Sequence, residues 1–399
     1  MRVPSASRTA LVFGSSGISG WGIASALLRT PRQRDDSFRR VIAVNNRLMT
    51  LEESYFSPDG RLILGSNIDL QLSVEEIKKR LLEVSDEVKD VTHMYFAAFS
   101  TSAIDNQLDM KRINTKMLAN AVQAVESLAP NLVFVTLQTG TNHYGVLFAE
   151  SLGDNFGPVP LKESLPRLPP PLDESLLFYA QVDEIRQLSQ GKPWSWCDIR
   201  PDMIIGFLPR LNSHSIAESL GAFLAFYAHV RGQGASLRFP GTPKSWVTTF
   251  TMTGQELLGD FTVHASRSHL VTSGDSYNIA GEEVTSWERL WPTLALHFKI
   301  KGVGPDDKGG EKIDDIGNWI IEHIDQVNAM EQRYTLKRGF LLKMPWRYLD
   351  WTLKASVNRE VDVTRAKSTG FDTSETPERS FLKAWSKMRV ARLLPPNPE

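Results

Sequence analysis

Residues 11–22 read LVFGSSGISGWG. An apolar run closes on Gly14, Gly17 and Gly20, and a helical pattern begins before the last of them. This order of strand, glycines and helix is what a phosphate bridge asks of a backbone. It needs approach without a Cβ in the way, and unpaired amides of a helix N-terminus aimed at the charge. Gly14, Ser16, Gly17, Ile18 and Gly20 are therefore the candidate phosphate contacts. A glycine triplet alone is a weak signal, since a tight βα turn uses glycines for its own geometry. Its position after the first strand strengthens it, although the GxxGxxG spacing is one residue longer between the first two glycines than the GxGxxG fingerprint.

Outward from this turn, short apolar runs alternate with helical patterns. Strands are expected at 9–13, 40–44, 62–64, 91–96, 132–137 and 195–199, and helices over 14–28, 114–128 and 177–188. That rhythm implies right-handed crossovers and a parallel sheet covered on both faces, an α/β, Rossmann-like doubly wound fold. Residues 151–175, SLGDNFGPVPLKESLPRLPPPLDES, break the rhythm: they are proline-rich and aperiodic and read as a long surface excursion. Beyond Arg200 a smaller, mainly helical lobe is expected, with helices at 216–230, 290–298 and within 311–335, and a strand ending in a turn at 238–241. A chain of 399 residues is long enough for two lobes at ~100 to 200 residues each. The division is drawn as 1–210, a nucleotide-binding domain, and 211–399, a substrate-binding lobe with some strands returning to the core sheet.

Composition narrows the class. Lys and Arg total 45 against 46 Asp and Glu, so no overall charge attracts nucleic acid or an anionic membrane. The single cysteine, Cys197, rules out an internal disulfide framework and reads as a small buried hydrophobe in a strand. No stretch reaches the ~18 apolar residues of a membrane span, and neither MRVPSASRTALVF nor the terminal PPNPE reads as a signal. A cytoplasmic protein without a metal site is expected.

The ends of the expected strands carry the remaining cofactor candidates. Asn46 and Arg47 follow the second strand, where an acidic residue would favour a free ribose hydroxyl and an arginine suits a 2′-phosphate. NADP(H) is therefore the expected cofactor. Asp69 and Leu70 follow the third strand, where a carboxylate and a backbone amide can hold the adenine, and Ala97 and Ala98 after the fourth are small enough for a ribose to lie against them.

With LQTGTNHYGV at 137–146 and FYAQVD at 178–183 the sequence resembles a known family, the progesterone 5β-reductase and iridoid synthase-like enzymes, an atypical branch of the short-chain dehydrogenase/reductases. FGSSGISGWG, VTHMYFAAF, NTKMLANAVQAV, ESLPRL, IRPDMIIGFLP, LRFPGTPKSW, YNIAGEEVTSWERLW and FLKAWSKMRVARLLP extend the resemblance along nearly the whole chain, toward fungal specialised-metabolite members. It implies NADPH-dependent reduction of the carbon–carbon double bond of enones or enals, with a lysine in TGxKHY and a tyrosine in an FYYxxED-like motif. The tyrosine falls on Tyr179 and the lysine on Asn142; Val182 stands where a glutamate is usual, and Asp183 remains. Asp69, Gln138 and Ile204 match cofactor-lining positions, and Arg47 matches one of a basic pair whose other member here is Asn46.

Asn142 alters the expected chemistry. When a hydride reaches the β-carbon, charge grows on the carbonyl oxygen; a phenol there stabilises it, and an ammonium nearby strengthens the phenol as an acid. Asn142 can donate a hydrogen bond but carries no charge, a handicap on the order of 3 kcal/mol or ~100-fold. The expected function is reduction of an activated C=C or carbonyl group of a hydrophobic small molecule, with Tyr179 and Asn142 as catalytic residues. The alternatives are an isomerase or cyclase that keeps NADP(H) as scaffold or recycled hydride carrier, and a protein that only binds nucleotide. His143 and Tyr144 are read as groups of the turn, and Phe148, Phe207, Phe223, Tyr227 and Trp246 as pocket walls or plain core. No nucleic acid partner is expected, and a homodimer stays open.

Overall fold

The strand before the glycine turn has no exposed residue. In the computed structural model, which describes residues 8–34, 37–103, 106–153, 156–210 and 215–397, Thr9–Phe13 (β1) is buried throughout. Its side chains divide by parity: Ala10 and Val12 join one apolar cluster, Leu11 and Phe13 another. Arg40–Val44 (β2) repeats the division, Val41 and Ala43 against Ile42 and Val44. A pleat of period two sends alternate residues to opposite faces, and a continuous apolar run is what a sheet covered on both faces requires.

Leu62–Gly65 (β3), His93–Phe96 (β4), Phe134–Gln138 (β5), Ser195–Pro201 (β6) and Asp275–Ile279 (β7) complete a seven-stranded sheet of order β3-β2-β1-β4-β5-β6-β7. All of its pairings are parallel. The order reverses between β1 and β4, and in such sheets ligands bind at the carboxyl ends of the strands beside the reversal. The glycine turn leaves β1 at that place.

Ile18–Arg29 (α1) covers one face, and Val74–Val84 (α2), Gln107–Leu128 (α3) and Leu177–Leu188 (α4) supply the apolar cluster on the other. Ile216–Arg231 (α5), Gln255–Ala265 (α6), Trp287–Leu296 (α7), Ile316–Glu322 (α8), Ile324–Arg333 (α9), Trp346–Lys354 (α10) and Pro377–Val390 (α11) follow. Helix α6 lies along α1 at glycine distance, because a Cβ on Gly259 would run into the Gly22 carbonyl oxygen. The sheet thus takes its last strand and a covering helix from beyond residue 210. The expected boundary itself falls at Leu211, outside the described residues, as do residues 1–7 and the last two of PPNPE.

Several expectations need correction. Helix α3 starts at Gln107, well before 114, because Asn106 caps it by accepting from the Asp109 amide at 3.1 Å, while the polar first turns hide the apolar period. The strand expected at 238–241 runs Ser236–Arg238 and ends where RFPG begins. The charged stretch 311–335 is two helices, broken at His323. Most consequential, 151–175 is no mere surface excursion: Leu161 is fully buried and its backbone bonds to Glu360 and Asp362, while Asp154 and Asn155 lie outside the described residues. Cys197 lies in β6 with no exposure. No helix among the described residues is long and apolar enough to cross a membrane.

Candidate active site

At the end of β1 the amides of Gly14 and Ser15 both donate to the Val44 carbonyl, at 3.0 and 3.1 Å, which folds the turn back against β2. Gly14 has φ +80, and a Cβ there would lie 2.6 Å from the Ala97 carbonyl oxygen. A Cβ on Gly20 would strike the Gly14 carbonyl. The first glycine is thus required by conformation and by the neighbouring strand, the last by close packing of helix on turn. The amides of Ser16 and Ile18 make no hydrogen bond among the described residues.

Three buried polar atoms at the strand ends lack partners among the described residues: Ser15 Oγ, Asn45 Oδ1 just after β2, and Gln138 Oε1 at the end of β5. Buried polar groups are normally bonded, so orphans beside a glycine cradle fit a polar ligand that completes them. Asn46 and Arg47 are exposed next to Asn45, and Arg47 forms no ion pair among the described residues. Asp69 Oδ1 accepts from the Gln71 amide at 2.9 Å, and the Leu70 carbonyl accepts from Asn120 Nδ2 at 2.9 Å, which fixes the loop after β3. Ala97 and Ala98 are half-buried against Gly14. Gln138 Nε2 donates to the Ile199 carbonyl at 3.1 Å, and Ile204 sits half-buried on a short strand beside Thr253.

The TNHY turn follows β5 directly. Tyr179, near the start of α4, is 4% exposed; its hydroxyl donates to the His143 carbonyl at 2.9 Å and accepts from the Leu168 amide at 2.9 Å. Burial raises its pKa, against which the Leu168 amide and the charges of Arg167 and Arg200 act. The Asn142 side chain does not bond to Tyr179: its Oδ1 accepts from the Leu147 amide at 3.3 Å, and its amide nitrogen has no partner among the described residues. The two expected catalytic residues are therefore joined through the backbone of His143 alone. His143 packs edge-on to the Tyr179 ring at 4.8 Å, and burial holds its pKa down to about 3, so the imidazole is neutral at pH 7.

Several groups of this region were not singled out in the sequence. Asn114 on α3 accepts from the Ser100 amide at 2.7 Å and donates to the Ser100 carbonyl at 3.0 Å, while Gln181 of α4 donates to its backbone carbonyl at 3.2 Å. This ties the loop after β4 to the helix that carries Tyr179. Arg167, inside the proline-rich stretch, stacks its guanidinium 4.7 Å from the centre of the Tyr179 ring and binds Asp183 through both oxygens at 2.6 and 2.7 Å. Buried Asp202, just after β6, accepts from Thr141 at 3.3 Å and Thr251 at 3.2 Å and stands 4.0 Å from Arg359. Arg359 is 5% exposed and its Nη2 has no hydrogen-bond partner among the described residues. Asp198 and Arg200 form a second buried pair at 2.6 Å, extended by Thr139, Tyr144 and Ser276.

Of the aromatics read as pocket walls or plain core, three are core. Phe223 and Tyr227 pack on Trp319, and Phe207 packs between Trp21 and Tyr55.

Comparison with known proteins agrees with this fold. A profile described as PRISE-like Rossmann-fold domain matches residues 10–395. The short chain dehydrogenase sirQ of Leptosphaeria maculans is 50% identical over 386 residues, covering 97% of each chain. A 3-oxo-Delta(4,5)-steroid 5-beta-reductase of Arabidopsis thaliana is 26% identical over 318 residues, covering 77% of this chain and 75% of its own. Among solved structures, the UDP-glucuronic acid 4-epimerase of Bacillus cereus in complex with NAD superposes with a TM-score of 0.58 at 10% identity, covering 96% of this chain and 99% of its own, which is a likeness of fold.

Proposed function

The chain belongs to the PRISE-like Rossmann-fold family and is an enzyme of the short-chain dehydrogenase/reductase type, and from that premise we propose that it reduces an activated C=C or C=O bond of a hydrophobic small molecule with NADPH. The observation that carries the reading is a glycine cradle and a buried phenol at the same edge of one parallel sheet, on turns that leave strands with a single strand between them. The cradle leaves β1, the turn against Tyr179 leaves β5, and β4 with Ala97 and Ala98 lies between them. Residues 1–210 hold the nucleotide, and the mainly helical remainder shapes the substrate site.

In this reading Gly14, Gly17 and Gly20 keep the backbone open to the pyrophosphate, and the free amides of Ser16 and Ile18 supply donors. Asp69 and Leu70 border the adenine, Gln138 and Ile204 the nicotinamide side. Arg47, exposed and unpaired with any carboxylate among the described residues, meets the 2′-phosphate beside Asn46. The bound cofactor supplies the hydride. Tyr179 exchanges its His143 acceptor for the substrate oxygen and donates to it as charge develops, and Asn142 offers a second, neutral donor from its free amide nitrogen.

The test is to mix purified protein with NADPH and a panel of hydrophobic enones and enals, follow the reduced nicotinamide by absorbance and weigh the products. A product two hydrogens heavier, matched to NADPH consumed, is expected. A product of unchanged mass with NADPH bound would replace the reductase with an isomerase or cyclase. In the same protein NADPH should bind more tightly than NADH by calorimetry, and Arg47→Ala should bring the two affinities together; equal affinities in the unaltered chain would remove the 2′-phosphate assignment.

A further inference from the structure

Asn142 leaves Tyr179 without a cation from the TNHY turn, yet the phenol is not without positive partners. Both come from one segment. In ESLPRL, residues 163–168, the Leu168 amide donates to the Tyr179 hydroxyl oxygen at 2.9 Å, and the Arg167 guanidinium lies over the face of the same ring, 4.7 Å from its centre. Asp183, one helical turn along α4 from Tyr179, grips Arg167 with both carboxylate oxygens and also pairs with Arg186 at 3.0 Å. Leu168 is seated against Gly145, where a Cβ would strike its Cδ1, so the segment closes down on the TNHY turn. Its other end is anchored too: the Asn278 amide donates to Glu163 at 2.8 Å.

We infer that the ESLPRL segment supplies the electropositive surroundings that residue 142 does not, with Arg167 a positioning residue that acts through the Tyr179 ring and the Leu168 amide acting at its oxygen. The inference rests on the reading of Tyr179 as the donor to the substrate. Its physical basis is differential. As the phenol gives up its proton the ring and oxygen gain negative charge, and a cation over the ring and an N–H on the oxygen both bind that state better than the neutral one. The other charged groups facing the phenol are Arg200, which acts in the same sense, and Asp173, which opposes it, while Asp183 is taken up by Arg167. His143, packed against the ring, is neutral and adds no charge.

An ion pair that merely latches the segment and a cation that tunes the phenol predict different things. Installing 3,5-difluorotyrosine at position 179, whose ring fluorines make the phenol acidic enough to titrate in folded protein, gives a single fluorine NMR signal that needs no substrate. Arg167→Gln should raise the titration midpoint, and Asp183→Asn, which leaves Arg167 unneutralised, should lower it, each by about half a pH unit after allowance for solvent screening. The basic limb of kcat with NADPH and an active enone should move in the same two directions, with KM little changed. Midpoints that move together in both variants, or not at all, would reduce Arg167 to a latch and overturn the inference. Full activity in Tyr179→Phe would instead remove the donor reading, a failure the fluorine titration tells apart because it reports the phenol whether or not it reacts.

Discussion

At the scale of single residues, charge decides more than shape. Asn142→Lys would return an ammonium to the turn against Tyr179, and kcat for a simple enone at pH 7 should rise, by less than the ~100-fold one oxyanion-site group is worth, because Arg167 already stands at the ring. An unchanged kcat with NADPH bound would show that the site is organised for other chemistry. Glu218, 1% exposed and without an ion pair among the described residues, has its pKa pushed up by burial to about 8, against a backbone hydrogen bond from Leu208 and the charge of Lys337. The unfolded chain releases this proton near the ordinary carboxylate value and the folded chain holds it until about 8, so stability falls as pH rises through that window. Glu218→Gln should flatten this dependence: urea unfolding at pH 5 and pH 8 should give a smaller loss in the variant, and equal losses would show that Glu218 is charged when folded. Tyr179 and Asn142 were identifiable as candidates because they stand in short motifs. Arg167 was not, since a lone cation in a proline-rich run has no period to mark it, and Glu218 reads in sequence as an ordinary acid in the first turn of α5, three residues past a serine cap.

At the scale of elements, glycine sets the spacing of the helix pair over the sheet. Gly259 of α6 rests on the Gly22 carbonyl of α1, and Gly22 in turn faces Gln255, whose Nε2 donates to the Ile18 carbonyl at 2.7 Å. Gly259→Ala should cost about 1 to 3 kcal/mol by overpacking, measured as a lower denaturation midpoint. Because α1 opens on the phosphate turn, NADPH affinity should fall with it; a variant as stable as the parent would mean that the helices part without penalty. The Rossmann half was largely legible here, since β1, β2, β4 and β5 are largely apolar runs between turns and β6 keeps Trp196, Cys197 and Ile199 beside its charged residues. Helix α6 and strand β7 were not. The first carries a glycine in its buried face, and DSYNI, with three polar residues of five, does not look like an edge strand until Asn278 is seen bonded to Leu161 at 3.0 Å. Residues 151–175 misled for a related reason: their order comes from distant partners, not from a local repeat.

At the scale of the whole molecule, parts far apart in sequence converge on the strand ends. Asp202 gathers the TNHY turn through Thr141, residues 249–253 through Thr251 and Thr253, and the segment around Arg359. Asp202 and Arg359 are buried at 4.0 Å, and Arg359 Nη2 has no hydrogen bond among the described residues, so Asp202→Asn, which strands a buried cation, should destabilise by about 3 kcal/mol. Arg359→Met combined with it should cost less than the two changes added; strict additivity in a double-mutant cycle would mean the charges do not feel each other. The same convergence governs how the chain comes into being. Synthesis is vectorial, and β6 emerges from the ribosome long before residues 275–279 exist to lie beside it. Until then a growing chain carries β6 as an open edge, a template for pairing with any neighbour. The partner of Leu161 is made later still, at 360–362, so the anchor beside the segment bearing Arg167 forms only when translation is nearly over. A chain stalled short of β7 therefore holds six of the seven strands with β6 still an open edge, and the distant anchors of the segment over Tyr179, at Asn278 and at 360–362, are among the last to form.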